Sequence, residues 1–285
     1  MSTASAAPTL PTPAAPPSAV ERFHFETQGY LVLENFFTPA HVERLRAALE
    51  SAITRRRREV PPEWKAVWPP RCRHDLTQIH GVRSTRILNI LEDDPLFLEL
   101  LTWPALLPYV HAFCNPAPHY HASDAIVEDP VDFARRADGW HIDGSDNGYR
   151  NLGAHIPLLQ LKLGVYLTDM TQPFRGNLTV VPGSHLSRAE LSAEARQRRD
   201  FFPGAVQVCA PAGSAILFHN AIWHTAAPYG AGQPGRQMLY YAYEHPWMMA
   251  STAHWGYSKR FYNEQLTPAQ RQFFHGFVFD PPELR

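Results

Sequence analysis

The chain has 285 residues, 45% of them hydrophobic, and a formal net charge of −1 at pH 7. That is apolar material for one large core or two small ones, and the near-neutral balance argues against a nucleic-acid partner or an anionic membrane surface. Cys72, Cys114 and Cys209 are odd in number and far apart. They fit neither a zinc spacing nor a disulfide framework, so a reducing cytoplasm is expected, and no apolar run approaches the roughly 18 residues of a membrane-spanning helix.

In chain order, residues 1–19 are rich in Ala, Pro, Ser and Thr and carry no charged side chain. They read as a disordered tail rather than a signal peptide, and residues 20–285 read as one domain. A mixed stretch from Phe23 runs into Tyr30-Leu31-Val32-Leu33, an expected strand. Thr38 can cap a helix and Pro39 suits its first position. Val42, Leu45, Leu49 and Ile53 follow at helical spacing, which predicts a helix to about Arg57. The run Arg55-Arg56-Arg57-Arg58 is expected to be the solvated end of that helix, where cations meet the C-terminal dipole. Residues 59–80 read as irregular. A second helical region opens at Asp94-Pro95, breaks at Trp103-Pro104 and resumes over 106–113.

From Ala117 the pattern changes to short runs of β formers at 119–127, 159–168, 178–181, 205–208, 214–218 and 237–243, separated by Gly, Pro and Asp. Thr267-Pro268 starts a last helix. A helix-rich N-terminal third, a β core at about 117–245 and a C-terminal helical extension give a mainly β fold with flanking helices, of jelly-roll type.

The stretch that bears most on chemistry is Trp140-His141-Ile142-Asp143-Gly144. In an extended segment, side chains two apart share a face, so His141 and Asp143 can ligate one ion. A distant histidine would complete the two-histidine, one-carboxylate triad that holds non-haem Fe(II) with open positions. With 15 histidines in the chain, a lone His-x-Asp triplet is close to a chance event. Two histidines compete for the third place, His219 and His224, in Phe218-His219-Asn220-Ala221-Ile222-Trp223-His224. Trp140 and Trp223 read as packing residues.

The order of landmarks resembles the phytanoyl-CoA dioxygenase family of Fe(II)/2-oxoglutarate oxygenases. Gly29-Tyr30-Leu31-Val32-Leu33-Glu34-Asn35-Phe36-Phe37 precedes a helix, Trp140-His141-Ile142-Asp143 follows, and Pro182-Gly183-Ser184-His185 and Gly213-Ser214-Ala215-Ile216-Leu217-Phe218-His219 lead to His224. Arg236 lies 12 residues beyond. Gly176-Asn177 stands where Gly-Gly or Asn-Gly is usual, and residues 55–86 carry no transferable motif. The resemblance implies a double-stranded β-helix, a cupin-like jelly roll, with Fe(II), 2-oxoglutarate and O2 as cofactor and co-substrates. His141, Asp143 and His224 are then the metal ligands, the spacing from His224 to Arg236 deciding against His219.

Arg236 is expected to bind the far carboxylate of 2-oxoglutarate, because a guanidinium fork matches a carboxylate in two hydrogen bonds. Lys162 either faces the site and meets an anion or extends its charge to water from an edge strand. Gln160 and Thr168, from the same run, are further candidates for co-substrate contact. Related halogenases resemble these enzymes but carry a small residue at the carboxylate position, so Asp143 argues for oxygenation. Hydroxylation of a C–H bond in a small-molecule, lipid-like or natural-product substrate is expected. Desaturation, epoxidation, cyclisation, or a metal-dependent cupin-type isomerase or hydrolase are the alternatives.

Overall fold

The computed structural model describes residues 17–68, 70–132, 139–143, 157–187, 189, 191–197, 204–248 and 257–274, so most of the expected N-terminal tail lies outside the described residues. The elements run α1 (Ala19–Gln28), β1 (Tyr30–Leu33), α2 (Pro39–Glu59), β2 (Thr77–Ile79), β3 (Thr85–Leu88), α3 (Pro95–Leu101), α4 (Leu107–Phe113), β4 (His119–Glu128), β5 (Gln160–Tyr166), β6 (Leu178–Val180), β7 (Val206–Gln207), β8 (Ala215–His219), β9 (His224–Ala226) and β10 (Arg236–Glu244). A short capped helix, Pro268–Arg271, follows. Among the described residues no helix is long and apolar enough to cross a membrane, and all three cysteines are free.

Local chemistry accounts for the helix starts. The Thr38 hydroxyl accepts from His41 N–H at 3.3 Å, and Asp94 caps α3 through Leu96 N–H at 2.9 Å, each with proline in the first turn. Helix α1 was not expected. It begins with a full capping box, in which Ser18 and Glu21 each accept from the other's backbone N–H.

Strands pair in the order β1-β8-β5-β10-β4-β3-β2 in one sheet and β7-β6-β9 in a second. Every pairing is antiparallel. Alternation along the strands separates two faces. Leu161, Leu163, Val165, Leu217, Leu239 and Tyr241 join Leu45 and Leu49 of α2 and Phe97 and Leu100 of α3 in the larger core, which is the helix-covered outer face. Tyr166, Ile216, Phe218 and Met238 point the other way and pack against Leu178 and Val180 of the small sheet and Val208 just after β7. Two facing antiparallel sheets buttressed by helices make the mainly β, jelly-roll architecture.

The arginine run is a correction. Arg56 is buried rather than solvated. Its Nε donates to Asp93 Oδ1 at 3.0 Å, Nη1 to Leu88 O at 2.7 Å and Nη2 to Asn89 O at 2.9 Å, with a further Nη2 contact to Asp93 Oδ2. A guanidinium can be buried when its five donors find fixed acceptors. Here those acceptors come from the end of β3 and the segment after it, far away in sequence. Residues 77–79 also form a strand where an irregular stretch was expected, because β3, itself paired to β4, offers a partner edge.

Candidate metal centre

Inside the sandwich, the inner faces of β5 and β10 carry Gln160, Lys162, Gly164 and Tyr166, and Arg236, Met238 and Tyr240, by strand alternation. Strand β9 closes the other side. His224 pairs with Val180 of β6 and also bridges to His141, with His141 N–H to His224 O at 3.0 Å and His224 N–H to His141 O at 2.9 Å. Directly opposed residues in such a pair send their side chains to one face, and the two imidazole centroids lie 4.2 Å apart. Asp143 N–H donates to Asn220 O at 2.9 Å. The Asn220 side-chain oxygen in turn accepts from Leu159 and Gln160 N–H at 3.0 and 3.3 Å. Fully buried Asn220 thus ties the start of β5, the turn before His224 and Asp143 into one unit.

Each of His141, Asp143 and His224 offers one donor atom, and these atoms all lie within 4.8 Å of one another. His224 Nε2 is 3.8 Å from Asp143 Oδ2. The Nδ1 atoms face carbonyl oxygens, His141 towards Gly139 O at 3.1 Å and His224 towards Ile222 O at 2.9 Å. A carbonyl can only accept, so Nδ1 carries the proton and Nε2 presents its lone pair to the centre, the orientation used by metal-bound histidine. Burial, with His141 beside it, pushes the His224 imidazole down to about 4, so it is neutral near pH 7, as a ligand must be. Burial raises the Asp143 carboxyl, but Lys162, then His224 and His141, more than offset that and hold it well below the usual carboxylate range. Two neutral imidazoles and one carboxylate match a divalent first-row metal, and fit Fe(II) in particular.

His219 is not part of the cluster. It sits at the end of β8 with Nδ1 accepting from Ala221 N–H at 2.9 Å, its ring 4.9 Å from that of His185. Burial, and then His185, lower its pKa from 6.5 to about 3. The unfolded chain therefore binds a proton below 6.5 that the folded chain refuses until about 3, so His219 withdraws stability as pH falls through that window and none above it. His219→Gln is expected to flatten the stability-versus-pH curve between 6.5 and 3 in equilibrium urea unfolding. An unchanged slope would show that His219 is not the acid-sensitive group.

The other expected contacts separate clearly. Lys162 lies on a central strand, not an edge, with Nζ 3.5 Å from Asp143 Oδ2. Gln160 is buried beside the cluster, its amide nitrogen 3.1 Å from His121 Nε2, while His121 and His119 contact the Glu244 carboxylate at 2.5 and 3.0 Å. The structure does not bring Thr168 to the cluster. Its hydroxyl accepts from Gln237 N–H at 3.1 Å and contacts Met170 Sδ, and it lines a surface groove with Pro39, Val42 and Arg46 of α2. The strand run 159–168 ends as a strand at Tyr166, which releases Thr168 from the inner face.

Arg236 opens β10 and is buried. Its Nε donates to Glu128 Oε2 at 2.7 Å and its Nη1 to Gly176 O. Burial works against the guanidinium charge, and Glu128 more than restores it. Tyr240 is near enough to favour the charge on both Arg236 and Arg86, and Asp143 favours that on Arg86. Arg86 Nε also meets Asp124 Oδ2 at 2.5 Å. Gly164 lies opposite Tyr240, and a Cβ there would meet Met238 Cε at 2.5 Å, so glycine makes room for the Met238 side chain to pack against β5 at that point. The inner face thus runs from the cluster, past Lys162 and Tyr240, to Arg236. Asn220, Arg86, Glu128 and Tyr240 were not found from sequence, because single polar residues in strands or turns carry no spacing signal.

A sequence profile of the phytanoyl-CoA dioxygenase (PhyH) family matches residues 25–237. No curated protein matches the chain. Among solved structures, the non-haem α-ketoglutarate-dependent carbocyclase SnoK from nogalamycin biosynthesis is 22% identical, with a TM-score of 0.56, covering 83% of this chain and 87% of its own. HygX from Streptomyces hygroscopicus with nickel and 2-oxoglutarate bound is 19% identical, with a TM-score of 0.60, covering 82% and 90%. HygX with nickel, 2-oxoglutarate and hygromycin B is 18% identical, with a TM-score of 0.58, covering 81% and 89%.

Proposed function

The chain belongs to the phytanoyl-CoA dioxygenase family of non-haem Fe(II)- and 2-oxoglutarate-dependent oxygenases, and from that premise we propose that it hydroxylates a C–H bond of a natural-product-like small molecule, with His141, Asp143 and His224 holding the iron. The observation that carries the reading is the convergence of three donor atoms from two remote segments within 4.8 Å, each imidazole turned by a backbone carbonyl so that Nε2 faces the others.

Bound Fe(II) supplies the electron-transfer chemistry that couples decarboxylation of 2-oxoglutarate to reduction of O2 and oxidation of the substrate. In the balanced reaction, one oxygen atom of O2 enters the new hydroxyl and the other enters succinate, with CO2 released. The protein's part is geometry and electrostatics. Asn220 and the His141–His224 bridge fix where the three ligands stand. Lys162 keeps the Asp143 carboxylate ionised and facing inward. Arg236 takes the far carboxylate of 2-oxoglutarate in its guanidinium fork, which sets the length of co-substrate the interior accepts. The aromatic and aliphatic lining of Tyr240, Phe218 and Met238 excludes water.

Small-molecule chemistry is supported by the similar chains, one a carbocyclase of nogalamycin biosynthesis and the other solved with hygromycin B. Likeness to the carbocyclase favours ring closure as a second reading. Product mass separates them, since hydroxylation adds one oxygen and ring closure removes two hydrogens.

Purified protein given Fe(II), ascorbate and 2-oxoglutarate is expected to form succinate, slowly alone and faster with a matching substrate from a panel of aminoglycosides and polyketides. Absence of Fe(II)-dependent succinate under all of these conditions would contradict the oxygenase reading and leave a metal-dependent isomerase or hydrolase.

A further inference from the structure

We infer that Glu128 is a positioning residue that aims the Arg236 guanidinium at the co-substrate carboxylate, an inference that rests on the assignment of Arg236 above. Glu128 ends β4 directly opposite Arg236 at the start of β10, and the two are 4% and 2% exposed. One carboxylate oxygen, Oε2, accepts both from Arg236 Nε at 2.7 Å and from the Tyr229 hydroxyl at 3.0 Å. Arg236 Nη1 donates to Gly176 O. Gly176 itself has φ +76°, and a Cβ there would lie 2.6 Å from the Tyr229 hydroxyl oxygen and 3.0 Å from Arg236 Cδ. Glycine is needed on both counts, for the left-handed backbone and for the close approach.

These contacts occupy Nε and one Nη1 proton. A guanidinium has five N–H donors, and Nη2 donates to no described residue. What remains is the Nη1/Nη2 edge, the fork that meets a carboxylate in two parallel hydrogen bonds. A buried ion pair is a poor way to add stability, since apolar side chains of the same volume serve as well or better. A pairing that holds Nε and one Nη1 proton and leaves the Nη1/Nη2 end open is suited instead to presenting that end. Tyr229 pins the carboxylate, the carboxylate pins Nε, and Gly176 O holds the guanidinium plane against rotation about Cδ–Nε.

The test is the dissociation constant of 2-oxoglutarate from the Fe(II)-loaded protein, read without air from its visible charge-transfer band, with Fe(II) affinity measured alongside. Glu128→Ala is expected to weaken 2-oxoglutarate binding by about tenfold or more, the loss of one charge-assisted hydrogen bond, with Fe(II) affinity unchanged. Glu128→Gln retains an accepting oxygen and is expected to stay within about threefold of wild type. In an Arg236→Ala background, Glu128→Ala is expected to add nothing, because the two act as a unit. Should Glu128→Ala fail to fold, Tyr229→Phe, which only loosens the carboxylate, is expected to weaken binding about threefold. Wild-type affinity in Glu128→Ala, or in Tyr229→Phe where that variant substitutes for it, overturns the inference while a defect in Arg236→Ala keeps the Arg236 assignment. Additive losses in the double variant also overturn it. Wild-type affinity in Arg236→Ala removes both.

Discussion

Replacing Asp143 with alanine is expected to abolish 2-oxoglutarate turnover and to weaken Fe(II) binding by more than about a hundredfold. Loss of an outer partner that merely orients a ligand typically costs 10–100-fold in metal affinity or activity, so loss of a ligand itself exceeds that range. Asp143 is also the sole anion among the three donors. Without it, a divalent ion would face two neutral imidazoles and the Lys162 ammonium, now lacking the carboxylate 3.5 Å from its Nζ. The fold should survive, because the Asp143 side chain is 26% exposed and its backbone bond to Asn220 O remains. The check is metal content together with succinate formation, against a thermal melt showing a folded variant. Turnover at the wild-type rate would mean that Asp143 is not a ligand.

Replacing Arg236 with alanine is expected to raise the 2-oxoglutarate requirement by more than about a hundredfold while leaving Fe(II) affinity near wild type. Two charge-assisted hydrogen bonds at roughly 1.5 kcal/mol or more each sum to about 3 kcal/mol. A second effect follows from burial. Glu128 would lose its 2.7 Å partner, and an orphaned buried charge costs about 3–5 kcal/mol, so the variant should also melt earlier. Measuring KM for 2-oxoglutarate well below the melt separates the two effects. An unchanged KM would place the carboxylate on another cation, Lys162 and Arg86 being candidates on the same inner wall among the described residues.

What the sequence disclosed follows the range of the interactions involved. Helices α2 and α3 were legible because Thr38-Pro39 and Asp94-Pro95 carry their own caps. The long strands β4, β5, β8 and β10 were legible because each is a run of β formers. Helix α1 was missed although Ser18 and Glu21 spell a capping box, since its composition merges with the proline-rich stretch before it. Strand β9 was missed because it is three residues long and exists through its partners, β6 and His141. Arg56 was misplaced for the same reason, its acceptor Asp93 being 37 positions away.

At the site, His141, Asp143 and His224 stood out because their order among other landmarks is specific. The residues that hold them were silent. Asn220 is one asparagine in a turn and Glu128 one acid at a strand end, and only folding shows that the first supports Asp143 and the second grips Arg236. Thr168 shows the converse. It shares a β-rich run with Lys162, but the strand stops before it, and its hydroxyl serves the backbone of β10.

The most direct measurement is a crystal structure of the protein grown without air with Ni(II), a redox-inert stand-in for iron, and 2-oxoglutarate. The expected result is one ion bonded at about 2.0–2.2 Å to Nε2 of His141, a carboxylate oxygen of Asp143 and Nε2 of His224, with the far carboxylate of 2-oxoglutarate on Arg236. An ion held elsewhere, or bonded to His219 in place of His224, would contradict the account.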